Sequence, residues 1–243
     1  MPPRRSELFI SDLHLSAHTP EITARFLAFL DGPAQDAARL TILGDLFDAW
    51  AGDDDLADPF NAGIVKALRM LADCGVTIGF MAGNRDFLVG DDFAKAAGLE
   101  LLPDPCLHDI HGIATLLTHG DTLCTDDADY QHFRTQVRTP EWSATFLARP
   151  LAERKREIEN LRSRSEAEKR IKPMALMDVN AAAVIALLRK HDAQAVIHGH
   201  THRQAQHLHE VDGRECLRWV LGDWHPDRDS ALSCSADNWR FIG

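Results

Sequence analysis

Five short apolar runs in the 243-residue chain each end in a turn that carries Asp, Asn or His. The runs lie at 8–10, 40–43, 76–81, 113–118 and 195–197. Each is short and rich in β-branched residues or leucine, which is typical of buried strands. Helices are predicted between them, one with Thr19 as N-cap before Pro20 and one at 59–74. This alternation predicts an α/β layered fold in a single domain, residues 1–243.

The turns carry side chains that can bind metal ions. They read DLH with Asp12 and His14, GDLFD with Asp45, GNRD with Asn84, HGD with His119, and GHTH with His200 and His202. Ligands of open α/β sheets bind beyond the carboxyl ends of the strands, so we expect the five turns to converge. Any one fragment is weak evidence for a metal site, since Asp often caps turns and His often faces solvent. The ordered set of five is far more specific.

The mixture of ligand types indicates which chemistry the site performs. Carboxylate, amide and imidazole ligands without Cys suit Mn²⁺, Fe²⁺ or Zn²⁺ better than Mg²⁺ or Ca²⁺. Two such ions about 4 Å apart clamp the attacking and leaving oxygens in two-metal hydrolysis. They need a bridging carboxylate, and Asp45 is the natural one. The sequence therefore predicts a centre of two divalent cations.

Charge and cysteine usage exclude several classes of protein. The formal net charge is −11, which disfavours a nuclease or general nucleic-acid binder, because these need a basic face. None of the five Cys residues forms a CxxC pair, so reduced thiols in a cytosolic protein are the simplest interpretation. No apolar window approaches the roughly 20 residues of a spanning helix. The protein can therefore touch a membrane but is not expected to cross it.

The ordered set DLH…GDLFD…GNRD…HGD…GHTH resembles the calcineurin-like metallophosphoesterases. The resemblance implies a four-layer α/β/β/α sandwich that binds two metal ions. One ion would be held by Asp12, His14, Asp45 and His202, and the other by Asp45, Asn84, His119 and His200. His198 matches no ligand position and is interpreted as a structural residue or as the support of a ligand.

Arg85 in GNRD narrows the substrate. Many members of the superfamily have GNH here, and that His assists the departure of an alcohol. Arg85 cannot give up a proton at working pH, so the leaving group must already be a good anion. A phosphomonoester is such a leaving group, because its second pKa is about 6, and it is what departs when a diphosphate bond is cleaved. Arg85 can bind phosphate oxygens in bidentate fashion, which points to a diphosphate bond. Alternatively, Arg85 pairs only with Asp86.

Longer blocks resemble the family of UDP-2,3-diacylglucosamine diphosphatases from about Leu8 to Trp224, notably GDLFDAWAGDDD, HGDTLCTDDADYQHFR, MDVN, HGHTHRQ and LGDWH. This resemblance implies hydrolysis of UDP-2,3-diacylglucosamine to UMP and 2,3-diacylglucosamine 1-phosphate in lipid A biosynthesis. It implies two Mn²⁺ ions, peripheral association with the cytoplasmic face of the inner membrane, and no nucleic-acid or obligate protein partner. Catalytic roles fall on Asn84, Arg85 and His200. Substrate contacts fall on these three and on Asp127, Ser165, Lys169 and Lys172.

The segment 130–173 breaks the alternation of strands and helices. Between Arg134 and Lys172 it has eleven Lys or Arg against six Asp or Glu, a local charge of +5. A helical cap is expected at about 125–175, either over the site or as a solvated hairpin. Arg154, Lys155 and Arg156 could meet an anionic leaflet. The interleaved apolar residues either hold acyl chains or bind the cap to the core: Phe133, Val137, Trp142, Phe146, Leu147, Leu151 and Ile158.

Two other functions stay open at this point. One is a soluble nucleotide or dinucleoside-polyphosphate hydrolase, whose substrate would need no apolar slot. The other is a metal-binding scaffold without catalysis, which would not need eight metal–ligand contacts. The cap discriminates the first from a lipid-directed enzyme, and the intact ligand set argues against the second.

Overall fold

Two mixed β-sheets form the centre of the protein in the computed structural model, which describes residues 6–169 and 178–243, with the side chains of 164–169 left aside. The strands are β1 (Glu7–Ile10), β2 (Arg39–Leu43), β3 (Thr77–Met81), β4 (Glu100–Leu102), β5 (Cys106–Ile110), β6 (Ile113–Thr118), β7 (Ala195–His198), β8 (Ala205–Val211), β9 (Arg214–Val220), β10 (Ala231–Cys234) and β11 (Trp239–Ile242). The helices are α1 (Pro20–Asp31), α2 (Pro59–Asp73), α3 (Asp91–Ala97), α4 (Ala128–Val137), α5 (Pro140–Leu147), α6 (Leu151–Lys169) and α7 (Ala181–Lys190).

The strand order places the predicted turns on neighbouring strands. The first sheet has the order β11-β10-β1-β2-β3-β4, and its strands β1 to β4 are parallel. The second sheet has the order β5-β6-β7-β9-β8, with β6, β7 and β9 parallel. The five predicted strands are thus the parallel strands β1, β2 and β3 of one sheet and β6 and β7 of the other.

Alternating side chains sort the core into layers. Leu8 and Ile10 of β1 pack in the cluster shared with α1 and α2, whereas Phe9 packs in a cluster with Leu117 and Ile197 of the second sheet. A third cluster joins the second sheet to α7. Three apolar interfaces between four layers confirm the predicted α/β/β/α sandwich.

Local predictions of helix boundaries succeed except at the cap of α1. Helix α1 begins at Pro20 as expected, but the Thr19 hydroxyl makes no capping bond to that helix. Instead, Thr19 Oγ1 accepts from the backbone N–H of Ser16 at 3.2 Å. The prediction of Thr19 as a capping hydroxyl is therefore wrong, because a local turn takes up the hydroxyl. Helix α2 is capped by Asp58, which accepts from the N–H of Phe60 at 2.9 Å.

Helices α4, α5 and α6 lie between β6 and α7 in the chain. Phe146 is buried in the cluster on the α1–α2 side of the sandwich, and Trp142 and Ile158 pack against the same cluster. The rings of Trp142 and Phe146 stack at 4.7 Å between centroids. These residues attach the helices to the core, whereas Phe133 and Leu147 remain about 40% exposed, 41% and 40% respectively. A role of this segment as a cap over the site, or in holding acyl chains, stays a prediction.

The predicted contact of Arg154 with a membrane surface is wrong. Arg154 is only 1% exposed. Its Nε donates to the carbonyl of Arg149 at 2.9 Å, and its other nitrogens donate to the Ala51 carbonyl and the Asp54 carboxylate. Lys155 Nζ lies 2.7 Å from Asp55 Oδ2. Two of the three basic residues thus attach α6 to the acidic run after β2. In the described part of the chain, no helix has the length and apolar character needed to cross a membrane.

Candidate metal centre

The five turns converge at the carboxyl ends of β1, β2, β3, β6 and β7. Five of the candidate ligands have a positive φ: Asp12 (55°), His14 (50°), Asp45 (54°), His200 (66°) and His202 (59°). A left-handed backbone is uncommon for residues other than glycine, and Asp, Asn and His tolerate it best. Such strain clusters at functional sites, where the surrounding structure holds the backbone in place.

Asp12, His14 and His202 form one cluster of potential ligands. His202 Nε2 lies 3.3 Å from Asp12 Oδ1 and 3.3 Å from His14 Nε2. Asp12 Oδ1 and His14 Nδ1 are buried and make no hydrogen bond of good geometry within the described residues, although His202 Nε2 faces Asp12 Oδ1. Burying a polar atom without a partner is costly, and a cation would satisfy this oxygen. The donor set therefore fits a divalent metal ion.

Asp45 lies between this cluster and a second one. Its Oδ2 is 3.9 Å from His14 Nδ1, and its Oδ1 is 3.8 Å from His119 Nε2. Each carboxylate oxygen therefore faces a different group of imidazoles. This is the placement expected of a carboxylate shared by two cations.

Asn84 joins two imidazoles in the second cluster. Its side-chain oxygen lies 3.0 Å from His119 Nε2 and 2.8 Å from His200 Nδ1. The other ring nitrogen of His119 donates to the carbonyl of Leu43 at 2.9 Å, which directs Nε2 into the site. The structure thus brings together all seven predicted metal ligands. Their individual assignment to two ions stays a prediction.

A carboxylate outside the predicted set supports His202. Asp223 Oδ2 lies 3.2 Å from His202 Nδ1, which leaves Nε2 to face Asp12. Outer carboxylates of this kind fix the tautomer and orientation of a ligating histidine. Asp223 is absent from the ligands predicted from the sequence, although it comes shortly after β9 as Asp12 comes shortly after β1. The same pattern of an Asp after a strand end could have identified it.

Asp86 supports the backbone of the centre and does not pair with Arg85. Its buried carboxylate accepts four backbone N–H groups, from Gly83 (2.8 Å), Asp45 (3.2 Å), Leu46 (2.7 Å) and Phe47 (3.3 Å). Burial and the nearby Asp45 raise the pKa of Asp86 to about 7, although the N–H donors oppose this rise. The alternative in which Arg85 serves only as an ion-pair partner of Asp86 is therefore wrong.

Arg85 lies next to the candidate ligands and has no partner for its guanidinium among the described side chains. Within the described ranges, no side chain forms a hydrogen bond or ion pair with the Arg85 guanidinium. Its backbone N–H donates to Asp45 Oδ1 at 2.8 Å, which anchors the residue beside the centre. Burial lowers the pKa of His14, and the charges of His202 and Arg85 lower it further, against the opposite effect of Asp45 and Asp12. Arg85 is thus a half-buried cation next to the candidate ligands.

The carboxylates and imidazoles of the centre shift one another's pKa values. Although burial opposes it, the carboxylates raise the pKa of His119 to about 9 and that of His202 to about 10. The pKa of Asp12 is held well below its usual range by His202, His119 and His14, against the effect of burial. Burial lowers the pKa of His200 to about 4, so this imidazole is neutral at pH 7. Two imidazoles therefore carry protons that a cation would displace.

Close packing leaves no room for a side chain at Gly44. Its φ is +88°, and a Cβ would lie 2.5 Å from His119 Nδ1 and 2.6 Å from the Cα of Gly83. Only glycine combines this backbone with this approach. The turn GD before the shared carboxylate is therefore required by the packing of the strands as well as by chemistry.

The remaining predicted residues lie at the edge of the site or outside the described part. His198 is buried; its Nδ1 donates to the Gly199 carbonyl at 2.8 Å, and Arg218 Nη1 lies 3.4 Å from its Nε2. The Asp127 carboxylate caps α4 by accepting from the N–H of Tyr130 at 3.2 Å, and its contact with a sugar stays a prediction. The side chains of Ser165 and Lys169, and all of Lys172, lie outside the described residues.

Comparison with known proteins places this centre in a family. The family model of the calcineurin-like phosphoesterases matches residues 8–204. A protein of Aromatoleum aromaticum named UDP-2,3-diacylglucosamine hydrolase is 55% identical over 91% of this chain and 90% of its own. Proteins of the same name from Chromohalobacter salexigens (49% identical; 91% and 89% covered) and Escherichia coli O157:H7 (46%; 97% and 97%) are also similar. The chain belongs to the calcineurin-like phosphoesterases and, within them, to the family of UDP-2,3-diacylglucosamine hydrolases.

Proposed function

We propose that this protein hydrolyses the diphosphate bond of UDP-2,3-diacylglucosamine, giving UMP and 2,3-diacylglucosamine 1-phosphate in lipid A biosynthesis. The names of its relatives support this substrate. The observation that carries the proposal is the position of Arg85: its backbone N–H donates to Asp45 Oδ1, its charge lowers the pKa of His14, and its guanidinium pairs with no described side chain. A cation in that position suits a substrate with two adjoining phosphates.

The residues present fit two divalent cations, one near Asp12, His14 and His202 and one near Asn84, His119 and His200, with Asp45 between them. When bound, the cations supply Lewis-acid activation of water and neutralise phosphate charge. We propose Mn²⁺, because this mixture of oxygen and nitrogen donors suits it.

The protein's own side chains bind and orient the phosphates. Arg85 stays protonated and can donate two parallel hydrogen bonds to phosphate oxygens. Such bonds stabilise charge that grows on the leaving phosphate, so no proton donor is required. His200 is neutral, with its Nδ1 directed at Asn84, and thus suits a ligand better than an acid.

We further propose that the protein associates with the cytoplasmic face of the inner membrane as a peripheral protein. A diacylated substrate resides in a bilayer, and an enzyme acting on it must reach that surface. Phe133 and Leu147, which stand close in sequence to basic residues of the inserted helices, are 41% and 40% exposed. Flotation with anionic and neutral vesicles tests this proposal, and equal absence from both vesicle fractions would contradict it.

Phosphorus NMR of the purified protein with Mn²⁺ tests the proposed reaction. UDP-2,3-diacylglucosamine, UDP-GlcNAc and a simple phosphomonoester are compared under the same conditions. Selective release of UMP from the diacylated substrate is expected. Equal cleavage of UDP-GlcNAc would support hydrolysis of the diphosphate bond but contradict specificity for the diacylated substrate. Preference for the phosphomonoester would show that the interpretation of Arg85 is wrong.

A further inference from the structure

Helix α4 and the residue that follows it direct three polar side chains at Asp121, beside the candidate centre. Tyr130 and Arg134 lie one turn apart on the same face of α4, and Arg138 is the C-cap residue of that helix. Tyr130 and Arg134 each donate to Asp121 Oδ2 at 2.7 Å. Asp121 is fully buried and lies two residues after His119. These contacts fix α4 next to the metal ligands.

Arg138 extends from the end of α4 to the turn that follows β3. Its Nη2 donates to the carbonyl of Gly83 at 2.7 Å and lies 3.8 Å from Asp121 Oδ2. Its guanidinium carbon lies 4.9 Å from the centre of the Phe87 ring, within the range of a cation–π contact. Asn84 and Arg85 lie between these two contact points. Arg138 therefore holds the turn on both sides of the two residues that are proposed to bind phosphate.

We propose that Arg138 is a positioning residue for Arg85 in the proposed reaction. A planar guanidinium can satisfy the Gly83 carbonyl and stack on Phe87 at once, whereas a lysine ammonium can satisfy only one of these contacts well. Because the turn is tied to Asp121 through Arg138, the direction of the Arg85 side chain depends on α4. This inference rests on the proposed function for its effect on turnover, but its effect on the turn is independent.

A double-mutant cycle distinguishes positioning from a direct contact with substrate. Arg138→Ala is expected to lower kcat about 10- to 100-fold with little change in KM, since small displacements of a positioned group have effects of this size. In the Arg85→Ala background the same change is expected to have almost no effect, because the two residues then act as one unit. Arg138→Lys is expected to recover part of the activity. Multiplicative losses in the double variant would overturn the proposal.

Hydrogen exchange supplies a readout that needs no substrate. Arg138→Ala is expected to speed amide exchange in the segment 83–87, while Mn²⁺ content and the melting temperature change little. Arg149→Ala is the matched control, because Arg149 also lies over a ring, 5.4 Å from the centre of Phe146, and contacts Glu157 instead of the turn.

The two proposals can fail separately. If the wild-type protein does not release UMP while exchange still rises in Arg138→Ala, the proposed function fails and the role of Arg138 in holding the turn stands. If the wild type is active and exchange is unchanged in Arg138→Ala, the positioning role is wrong.

Discussion

The Asp86 carboxylate accepts the backbone N–H of Asp45 at 3.2 Å, so one buried Asp holds the peptide of another whose side chain faces both clusters of imidazoles. The same carboxylate accepts the N–H groups of Leu46 and Phe47 from the turn after β2, and of Gly83 from the turn after β3. Asp86 thereby joins two adjacent turns of the candidate centre through the backbone alone.

Asp86→Asn is expected to lower the free energy of unfolding by about 1–3 kcal/mol, because an amide nitrogen would face N–H groups that have lost an acceptor. Denaturant unfolding measures the change. Asp109→Asn serves as the control, since Asp109 is exposed and accepts one N–H, that of Gly112, in a hairpin turn. Equal small effects in both variants would show that Asp86 does not support the turns.

Asp45→Asn is expected to weaken the binding of both metal ions and to abolish turnover, because the Asp45 carboxylate faces both clusters of imidazoles. Elemental analysis after dialysis should find well below one ion per chain. Loss of a single ion with the other held normally would place Asp45 in one site only. Normal turnover in this variant would disprove the two-ion assignment altogether.

Metal binding is expected to release about two protons at pH 7. The pKa of His119 is about 9 and that of His202 about 10 before a cation binds, so both imidazoles are charged and must lose a proton to become ligands. Apparent affinity should therefore rise with pH up to about 10. Calorimetric titration with Mn²⁺ in two buffers of different ionisation enthalpy counts the protons, and a count near zero would contradict the charged state.

Without cations, the same two histidines make the free energy of unfolding decrease as the pH rises, whereas the affinity for metal ions increases. Their folded-state pKa values lie above the ordinary value of 6.5, so the charged imidazoles stabilise the fold beside Asp12 and Asp45. That stabilisation is fully present below about pH 6.5 and is lost as the pH rises through about 9 to 10. Chelator-treated protein should thus unfold more readily at pH 10 than at pH 7.

Asp223→Asn is expected to weaken Mn²⁺ binding about 10- to 100-fold while leaving the fold intact, since outer carboxylates orient ligating histidines. Competition with a metal-binding dye measures the affinity. The control is His225→Gln, because His225 also lies 3.1 Å from Asp223 Oδ2 but is not a candidate ligand. If both variants bind Mn²⁺ as the wild type does, Asp223 has no role in orienting His202.

Arg154→Met is expected to destabilise the protein by about 1–3 kcal/mol, since it removes bonds to Arg149, Ala51 and Asp54 from a buried position. Thermal unfolding measures the effect. Arg156→Met, on the exposed side of the same helix, should stay within about 0.5 kcal/mol of the wild type. Similar melting temperatures for the two variants would mean that Arg154 does not attach α6 to the core.

The positions of the candidate ligands can be predicted from the sequence because chemistry and chain geometry coincide at strand ends. Asp12 and Asp45 follow adjacent parallel strands of one sheet, whose carboxyl ends lie side by side, whereas His119 joins them only because the second sheet packs on the first. The ligand types then restrict the ions that can bind. This is why all seven candidate ligands could be found from their order along the chain.

Residues that act through backbone contacts could not be found in this way. The role of Asp86 depends on which N–H groups of a distant turn lie within reach, and the burial of Arg154 depends on how α6 meets the Ala51 turn. The sequence of a basic run does not show whether it faces lipid or pairs with an acidic run more than ninety residues away. Tertiary packing determines the partner, and here Arg154 pairs with Asp54 and Lys155 with Asp55.

The candidate ligands are divided between the two sheets, and this division has a consequence for folding. Asp12, Asp45 and Asn84 follow strands of the first sheet, whereas His119, His200 and His202 follow strands of the second. Neither half of the chain carries a complete binding set, so high-affinity ion uptake requires both halves to have docked. Ion uptake during refolding would therefore report when the two sheets have packed into the sandwich.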